Sequence, residues 1–268
     1  MDLELKGRVA IVTGGGMGIG KEVARFLSEE GCKVVDALPI CARRMSFLQL
    51  AAEEISAQTG NEVLPLFCDT NDMSAVSEMV EAAYKHFGRI DILVNGAAAP
   101  SGVVRNDIEH AGDDELLSDL NTKVIGYFRC AKAVTPHMKA TGFGRIINIG
   151  GLTGRSSKVL SGMRNLAIAH MTKTLSDQLG PSGITVNLIH PGVVDTPHIQ
   201  ELYEREALKQ GKTAEQVEQA YIDSTPIRRT LAPIEMGWLI GFLASPKAGA
   251  VTGESIGIDG GLTRGIYI

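Results

Sequence analysis

The stretch RVAIVTGGGMGIGKEVARFL, residues 8–27, decides the fold, because an apolar run passes through a glycine cluster into a helical pattern. The cluster has the spacing T-G-x-x-x-G-x-G at Thr13, Gly14, Gly18 and Gly20. Glycine lets the backbone approach a pyrophosphate closely, and a helix that opens at Gly18 turns free N–H groups and its positive dipole end toward the anion. A glycine cluster between a buried strand and a helix therefore predicts a dinucleotide site.

Short apolar runs alternate with helical patterns along the rest of the chain. The runs predicted as strands are 8–14, 32–35, 62–69, 91–97, 144–150, 184–192 and 254–259. Segments 20–31 and 73–88 show helical periodicity. Strands that are apolar throughout indicate a parallel sheet covered by helices on both faces. The prediction is a single α/β domain over residues 1–268, a Rossmann-type, doubly wound sheet of about seven strands.

Residues 198–229 differ from the rest of the chain, being charged, amphipathic and placed after a strand end. This pattern predicts a mobile lid. Apolar side chains within it either line a small substrate pocket or pack in the core. They are Tyr203, Leu208, Val217 and Tyr221.

Composition excludes several classes of function. The net charge is −5 and the pI about 5.7, without a basic stripe, so we expect neither nucleic acid nor a membrane surface as partner. No apolar run approaches the ~20 residues of a membrane span, and no signal peptide is evident. The four cysteines form no CxxC pair, which predicts a reduced, cytoplasmic setting. The six histidines lack ligand spacing, so no metal site is predicted.

Five further landmarks make the chain resemble the short-chain dehydrogenase/reductase family over almost its whole length. They are CDTND (68–72), DILVNGAA (91–98), GRIINIG (144–150), VNLIHPGVVDTP (186–197) and TGESIGIDGG (252–261). The resemblance implies a nicotinamide cofactor and a small carbonyl or alcohol substrate. It also implies a homotetramer or homodimer, built through the helices that hold residues 115–138 and 161–180.

The resemblance also implies which residues hold the cofactor. Asp69 corresponds to the aspartate beside the adenine, segment 95–98 to the one beside the adenine ribose, and loop 191–196 to the one that holds the nicotinamide amide. The complete predicted set, apart from the residue that selects between NADP and NAD, is Gly14, Met17, Gly18, Ile19, Gly20, Asp69, Thr70, Asn95, Ala97, Pro191, Gly192, Val194 and Thr196.

The end of the second strand decides between the two nicotinamide cofactors. Family members that prefer NAD have an acid there, and those that prefer NADP often have an arginine just after it. Counting without a gap places Leu38 at the acid position, with Asp36 on the same strand face. Counting back from the next helix places Ala42 there and Arg43 after it, where Arg43 can pair with a 2′-phosphate. The second count matches more positions and favours NADP, with NAD as the alternative.

Two of the family's four catalytic positions lie on the helix predicted within 159–180. The family has a tyrosine that exchanges the proton and, one helical turn later, a lysine that lowers the tyrosine's pKa. These positions fall on Ser161 and Asn165. A serine hydroxyl without an adjacent base is too weak an acid or base to replace the tyrosine alone.

The other two catalytic positions have also changed. The family's serine falls on Gly151, and its asparagine falls on Lys123 when the chain is aligned on GYFRCAKAVTPHM (126–138). Asn121 is two residues away, a turn of about 200° on a helix, and would point elsewhere. The resemblance therefore implies a divergent member in which lysine and asparagine have exchanged places. Lys123, Ser161 and Asn165 are the candidate catalytic residues.

Three functions remain open from the sequence. In the preferred one, the protein is an NAD(P)-dependent oxidoreductase with an atypical site, in which Lys123 supplies positive charge and the proton. Tyr127, one helical turn later, is either an alternative proton donor or a packing residue. In the second, it is an inactive or non-redox nucleotide-binding protein of the same fold. In the third, it does other chemistry on a carbonyl substrate, with His190 as base unless His190 only packs.

Overall fold

The computed structural model describes residues 1–38, 42–98, 104–105, 107–155 and 159–265, without the side chains of 38 and 42–46. Its strands are β1 Val9–Thr13, β2 Lys33–Leu38, β3 Val63–Phe67, β4 Ile92–Asn95, β5 Gly144–Ile149, β6 Ile184–Pro191 and β7 Ser255–Ile258. They form one parallel sheet in the order β3-β2-β1-β4-β5-β6-β7.

The helices cover both faces of this sheet. They are α1 Gly18–Glu29, α2 Ala42–Thr59, α3 Met73–Phe87, α4 Asp113–Leu120, α5 Gly126–Thr141, α6 Gly162–Leu179, α7 Pro197–Gln210, α8 Ala214–Ser224 and α9 Pro233–Ala244. One apolar core packs the sheet against α1 and α9, and a second packs it against α3 and α5. Within the described ranges, no helix combines the length and the apolar character needed to cross a membrane.

The predicted fold class is confirmed, and each of the seven predicted runs overlaps one strand. The largest difference is in β2, which continues to Leu38 whereas the prediction ended at Val35. Asp36 interrupts the apolar run there, yet it is fully buried and pairs in register with Val12 of β1. A buried acid inside a strand is rare, so the apolar pattern alone shortens the strand.

The strand order reverses between β1 and β4, and this reversal gives the position of the candidate site. From β1 the sheet grows through β2 and β3 on one side and through β4 to β7 on the other. In an open parallel sheet such a reversal leaves a crevice beyond the carboxyl ends of the two central strands. The loops after β1, β4, β5 and β6 therefore converge at one edge.

Candidate functional site

Two loops at this crevice pack backbone against backbone, which only glycines permit. Gly14 has φ +82°, and a Cβ on it would come within 2.9 Å of the Gly96 carbonyl carbon. A Cβ on Gly96 would in turn lie 2.7 Å from the Thr13 carbonyl oxygen. Thr13 Oγ1 joins the loops by accepting the N–H groups of Gly96 and Ala97 at 3.1 and 3.3 Å. The glycines thus let two loops, residues 13–20 and 95–97, pack closely; we call this pair of loops the glycine cradle.

The start of α1 offers an anion site. The helix begins at Gly18, as predicted, after the exposed residue Met17, and no side chain caps its first turn. The uncapped N–H groups and the helix dipole favour a phosphate there. Thr196 lies opposite, with its methyl group 3.7 Å from the position of a Cβ on Gly18. The loop after β6 and the glycine loop therefore face each other, as a bound dinucleotide requires.

Several residues that the sequence predicts as cofactor-binding have side chains engaged with other parts of the protein, which leaves their backbone groups. The Asn95 amide is buried and donates to Asn148 Oδ1 at 2.9 Å. Thr70 is buried against α5, and Val194 is buried and bridges to Leu231. Asp69 Oδ1 accepts both the backbone and side-chain N–H of Asn71 at 2.9 Å, so its other oxygen is the one that can face an adenine.

The remaining predicted cofactor positions lie in the two facing loops and pack against the protein around them. Ile19 is partly buried against the core around α1, and Ala97 is buried beside the glycine loop. Gly20 packs on the Gly14 carbonyl, where a Cβ has no room. Pro191 ends β6, and Gly192 then donates its N–H to the Ile258 oxygen at 2.9 Å. The backbone of these residues holds the two facing loops in place.

Asp36 lies beneath the glycine loop rather than in the crevice. A Cβ on Gly15 would overlap Asp36 Oδ1, so the carboxyl occupies the space that a larger residue at position 15 would need. Burial raises the pKa of Asp36 to about 8, against the smaller opposing effect of the Gly15 backbone. At neutral pH this carboxyl is mostly uncharged and is enclosed, so it is not available to a ribose hydroxyl. The side chain of Arg43 lies outside the described residues.

A π-helical turn, Asn121–Ile125, joins α4 to α5 and carries Lys123. Such turns are rare and change the direction of the side chains that they hold. Lys123 is only 4% exposed. Its Nζ donates to the Gly150 oxygen at 2.9 Å and to Asn165 Oδ1 at 3.0 Å. The structure thus brings together the two residues that the sequence predicts as exchanged. Asn121 instead bonds to Asn71 and Arg129.

The electrostatic surroundings of Lys123 lower its proton affinity. Burial is the largest cause, Arg164 adds to it and Asp119 opposes it, and together they lower the pKa of Lys123 from 10.5 to about 7. Arg164 of α6 and Asp119 of α4 form an ion pair, with their side chains 12% and 3% exposed. The lysine can therefore both give and accept a proton near neutral pH.

Asn165 also bonds on its far side. Its Nδ2 donates to Thr153 Oγ1 at 2.7 Å, in the 3₁₀ turn Leu152–Arg155 that follows β5. Thr153 was not predicted as a site residue; the only signal for it in the sequence is a hydroxyl two residues after the glycine at the family's serine position. Ser161 lies just before α6 and is partly buried, and its side chain makes no capping bond to the helix.

Tyr127 and His190 have packing roles. The Tyr127 hydroxyl is fully buried and donates to the Ile149 oxygen at 3.0 Å. His190 is buried, with Nδ1 2.8 Å from the Gly151 oxygen and Nε2 2.8 Å from Ser255 Oγ. Burial also lowers the His190 pKa, which keeps the ring neutral. Both rings hold the backbone after β5, where Gly150 accepts from Lys123.

Helices α7 and α8 occupy the segment predicted as a lid. They pack on each other through their own apolar cluster, in which Tyr203, Ala207 and Val217 are buried. The Tyr203 and Tyr221 rings lie 5.7 Å apart between centroids. Leu208 is 86% exposed. Of the two alternatives, the structure favours packing for Tyr203, Val217 and Tyr221.

Comparisons with known proteins show the family and the fold. The profile of the family described as enoyl-(acyl carrier protein) reductase matches residues 14–263. The short-chain reductase protein NovJ of Streptomyces niveus is 36% identical over 259 residues, 94% of this chain and 93% of that protein. The 3-oxoacyl-(acyl-carrier-protein) reductase FabG of Vibrio cholerae is 30% identical, over 97% of this chain and 99% of that protein.

A solved structure extends the likeness to the whole fold. L-sorbose reductase from Gluconobacter frateurii, complexed with NADPH and L-sorbose, has a TM-score of 0.91 to this chain at 27% identity. The match covers 99% of this chain and 100% of that one.

Proposed function

Because the chain belongs to the short-chain dehydrogenase/reductase family, we propose that it is an NADP-dependent oxidoreductase that interconverts a ketone and an alcohol on a small substrate. The observation that carries the proposal is the buried pair of Lys123 and Asn165 beside the glycine cradle. Burying an amine costs folding free energy, and groups buried at such a cost cluster at functional sites. This amine lies at the sheet edge where family members do chemistry. The site is atypical, because Lys123, at the family's asparagine position, takes the proton-donating role that the family's tyrosine and lysine share.

The choice of NADP rests on the end of β2. Leu38 stands at the acid position, and Asp36 is enclosed beneath Gly15, so neither offers a charged carboxylate to a ribose 2′-hydroxyl. A charged acid there would also repel a 2′-phosphate. Arg43 at the start of α2 is the proposed partner of that phosphate. The NADPH complex of L-sorbose reductase supports the same cofactor.

When bound, NADPH supplies a hydride to the carbonyl carbon. The protein must then hold the carbonyl oxygen and give it a proton. Lys123 has three N–H groups as an ammonium, and the Gly150 oxygen and Asn165 Oδ1 take two of them. The third is available to the substrate oxygen. Lys123 becomes neutral when it gives its proton and then regains one from solvent. Ser161 donates a second hydrogen bond to the substrate oxygen. Alcohol oxidation runs the same steps in reverse.

The test has two stages. NADPH and NADH are titrated separately against the protein by nicotinamide fluorescence and calorimetry, and NADPH oxidation is then followed with acetoacetyl-N-acetylcysteamine, L-sorbose and cyclohexanone. We expect tighter binding of NADPH and reduction of at least one ketone. Binding without reduction of any ketone would favour the non-redox nucleotide-binding alternative. No binding of either nucleotide at millimolar concentration would refute the proposal.

We further propose a homodimer or homotetramer built through α4, α5 and α6. Large apolar side chains are exposed on these helices and the π-turn, namely Leu117, Ile125, Phe128, Met163 and Leu166. Such a patch on a soluble enzyme is typical of an interface between copies. Light scattering should give a multiple of the 28.5 kDa chain. Leu166→Glu should shift that mass toward the monomer, and a wild type that is monomeric at all concentrations would contradict the assignment.

Tyr127→Phe should leave ketone reduction within about twofold of wild type, because the phenol is enclosed and bonded to Ile149 rather than to the crevice. The lost hydrogen bond should lower the free energy of unfolding by about 1 kcal/mol. Urea unfolding and steady-state kinetics measure the two effects. A hundredfold loss of kcat would instead identify Tyr127 as the proton donor.

A further inference from the structure

Three polar side chains form a continuous hydrogen-bond chain below the crevice. Lys123 Nζ donates to Asn165 Oδ1 at 3.0 Å, and Asn165 Nδ2 donates to Thr153 Oγ1 at 2.7 Å. An ammonium has only donors, so Lys123 fixes the orientation of the Asn165 amide and leaves its NH₂ group facing Thr153. All the hydrogen bonds in this series therefore run in one direction, from the Lys123 ammonium to the Thr153 hydroxyl.

The Thr153 hydroxyl ends this chain with its hydrogen still available. Its oxygen accepts from Asn165, and no acceptor for its hydrogen lies among the residues that the structure describes. The side chain is partly exposed, in the 3₁₀ turn that follows β5. A hydroxyl whose oxygen already accepts a hydrogen bond is polarised and becomes a stronger donor.

The glycine at the family's serine position fits this arrangement. A Cβ on Gly151 would lie 3.1 Å from Asn165 Nδ2, closer than an ordinary van der Waals contact. A serine there would press on the amide that holds Thr153. His190 fixes the Gly151 backbone, so the loop cannot easily move away. The hydroxyl two residues further along is thus the one that Asn165 can orient.

We propose that Thr153 donates a hydrogen bond to the substrate's carbonyl oxygen and replaces the family's serine as a substrate-binding residue. This inference rests on the proposed function. In ketone reduction the hydride reaches the carbonyl carbon, Lys123 gives the proton to the oxygen, and Thr153 keeps its own proton throughout. The Thr153 bond strengthens as negative charge develops on the oxygen, because Asn165 and Lys123 polarise it.

The test compares Thr153→Val, which removes the hydroxyl with little change of shape, with Thr153→Ser, which keeps it. We expect Thr153→Val to lower kcat/KM for the ketone by about ten- to hundredfold with NADPH affinity unchanged, and Thr153→Ser to stay within about threefold. Thr172→Val is the matched control. Thr172 Oγ1 also accepts from a buried asparagine, Asn148, at 2.9 Å, but in the core of the domain.

A second readout needs no turnover. Trifluoroethanol, an acidic alcohol, is titrated by calorimetry against the NADP-loaded protein, and Thr153→Val should weaken its binding about tenfold. If the wild type binds NADPH but reduces no ketone, the proposed function fails and this titration alone decides the role of Thr153. Wild-type behaviour of Thr153→Val in that titration would overturn the inference, as would absence of trifluoroethanol binding or an equal loss in Thr172→Val.

Discussion

Lys123→Met should lower kcat/KM for ketone reduction by at least about hundredfold, the contribution expected of a positioned acid–base group, without changing the affinity for NADPH. Methionine fills similar space but cannot give a proton. The substitution leaves Gly150, in the loop after β5, and Asn165, on α6, in place. The glycine cradle proposed to bind the cofactor is therefore unchanged. Steady-state kinetics and an NADPH titration of the same preparation measure both quantities.

The same substitution should not weaken the fold at neutral pH, and this separates a catalytic role from a structural one. Burial lowers the Lys123 pKa from 10.5 to about 7, so between these values the unfolded chain holds a proton that the folded protein lacks. The contribution of Lys123 to stability therefore rises with pH across that window, and at pH 7 its burial costs a few kcal/mol. Methionine removes this cost, although it leaves two acceptors without a donor.

Lys85→Met is the control, because Lys85 is an exposed lysine on α3, outside α4, α5 and α6, and its loss should change neither activity nor stability measurably. Urea unfolding at pH 7 and pH 10 should show that the stability of the wild type relative to Lys123→Met rises with pH. The buried cysteines, whose raised pKa values act in the opposite direction, are present in both proteins and cancel from this difference. Undiminished ketone reduction by Lys123→Met would remove the lysine from the mechanism.

Asp119→Asn should lower the free energy of unfolding by about 3 kcal/mol, because it leaves the Arg164 guanidinium buried without its charge partner. The two side chains are 3% and 12% exposed, so water cannot replace the lost carboxylate. The midpoint of thermal unfolding should fall by roughly 6–12 °C for a chain of this size. Asp119 also raises the pKa of Lys123, so its loss should shift the fall in reduction rate to lower pH.

Two comparisons isolate this ion pair. The double variant Asp119→Asn/Arg164→Met should recover most of the lost stability, because no unpaired charge is then buried. Glu115→Gln breaks the more exposed pair with Arg105, where water can replace the lost partner, and should lower the free energy of unfolding far less than Asp119→Asn does. A single Asp119→Asn variant as stable as wild type would show that the pair contributes nothing to the fold.

The parts of the fold that follow from local chemistry could be predicted from the sequence. Apolar runs bounded by glycine locate the strands, and the spacing from Gly14 to Gly20 predicts both the cradle and the start of α1 at Gly18. The end of β2 was predicted too early at Asp36, because a charged residue type after an apolar run indicates the end of a strand. Only the structure shows that the carboxyl is enclosed beneath Gly15.

The candidate site, like the fold, could be predicted from the sequence only in part. The resemblance implied that lysine and asparagine have exchanged places at positions 123 and 165, and the structure places Lys123 Nζ 3.0 Å from Asn165 Oδ1. Three-dimensional details were not readable from the pattern. The π-turn that directs Lys123 depends on backbone hydrogen bonds that no residue type specifies. Thr153 reaches Asn165 only because the chain after β5 forms a 3₁₀ turn.

The pH dependence of kcat/KM for ketone reduction tests the central assignment, Lys123 as proton donor, most directly. A donor must be protonated in the free enzyme, and the Lys123 pKa is about 7. The wild-type rate should therefore be level below about pH 7 and fall about tenfold per pH unit above it, while the small residual rate of Lys123→Met stays level. A wild-type profile that remains level to pH 9 or above, or an identical fall in Lys123→Met, would contradict the assignment.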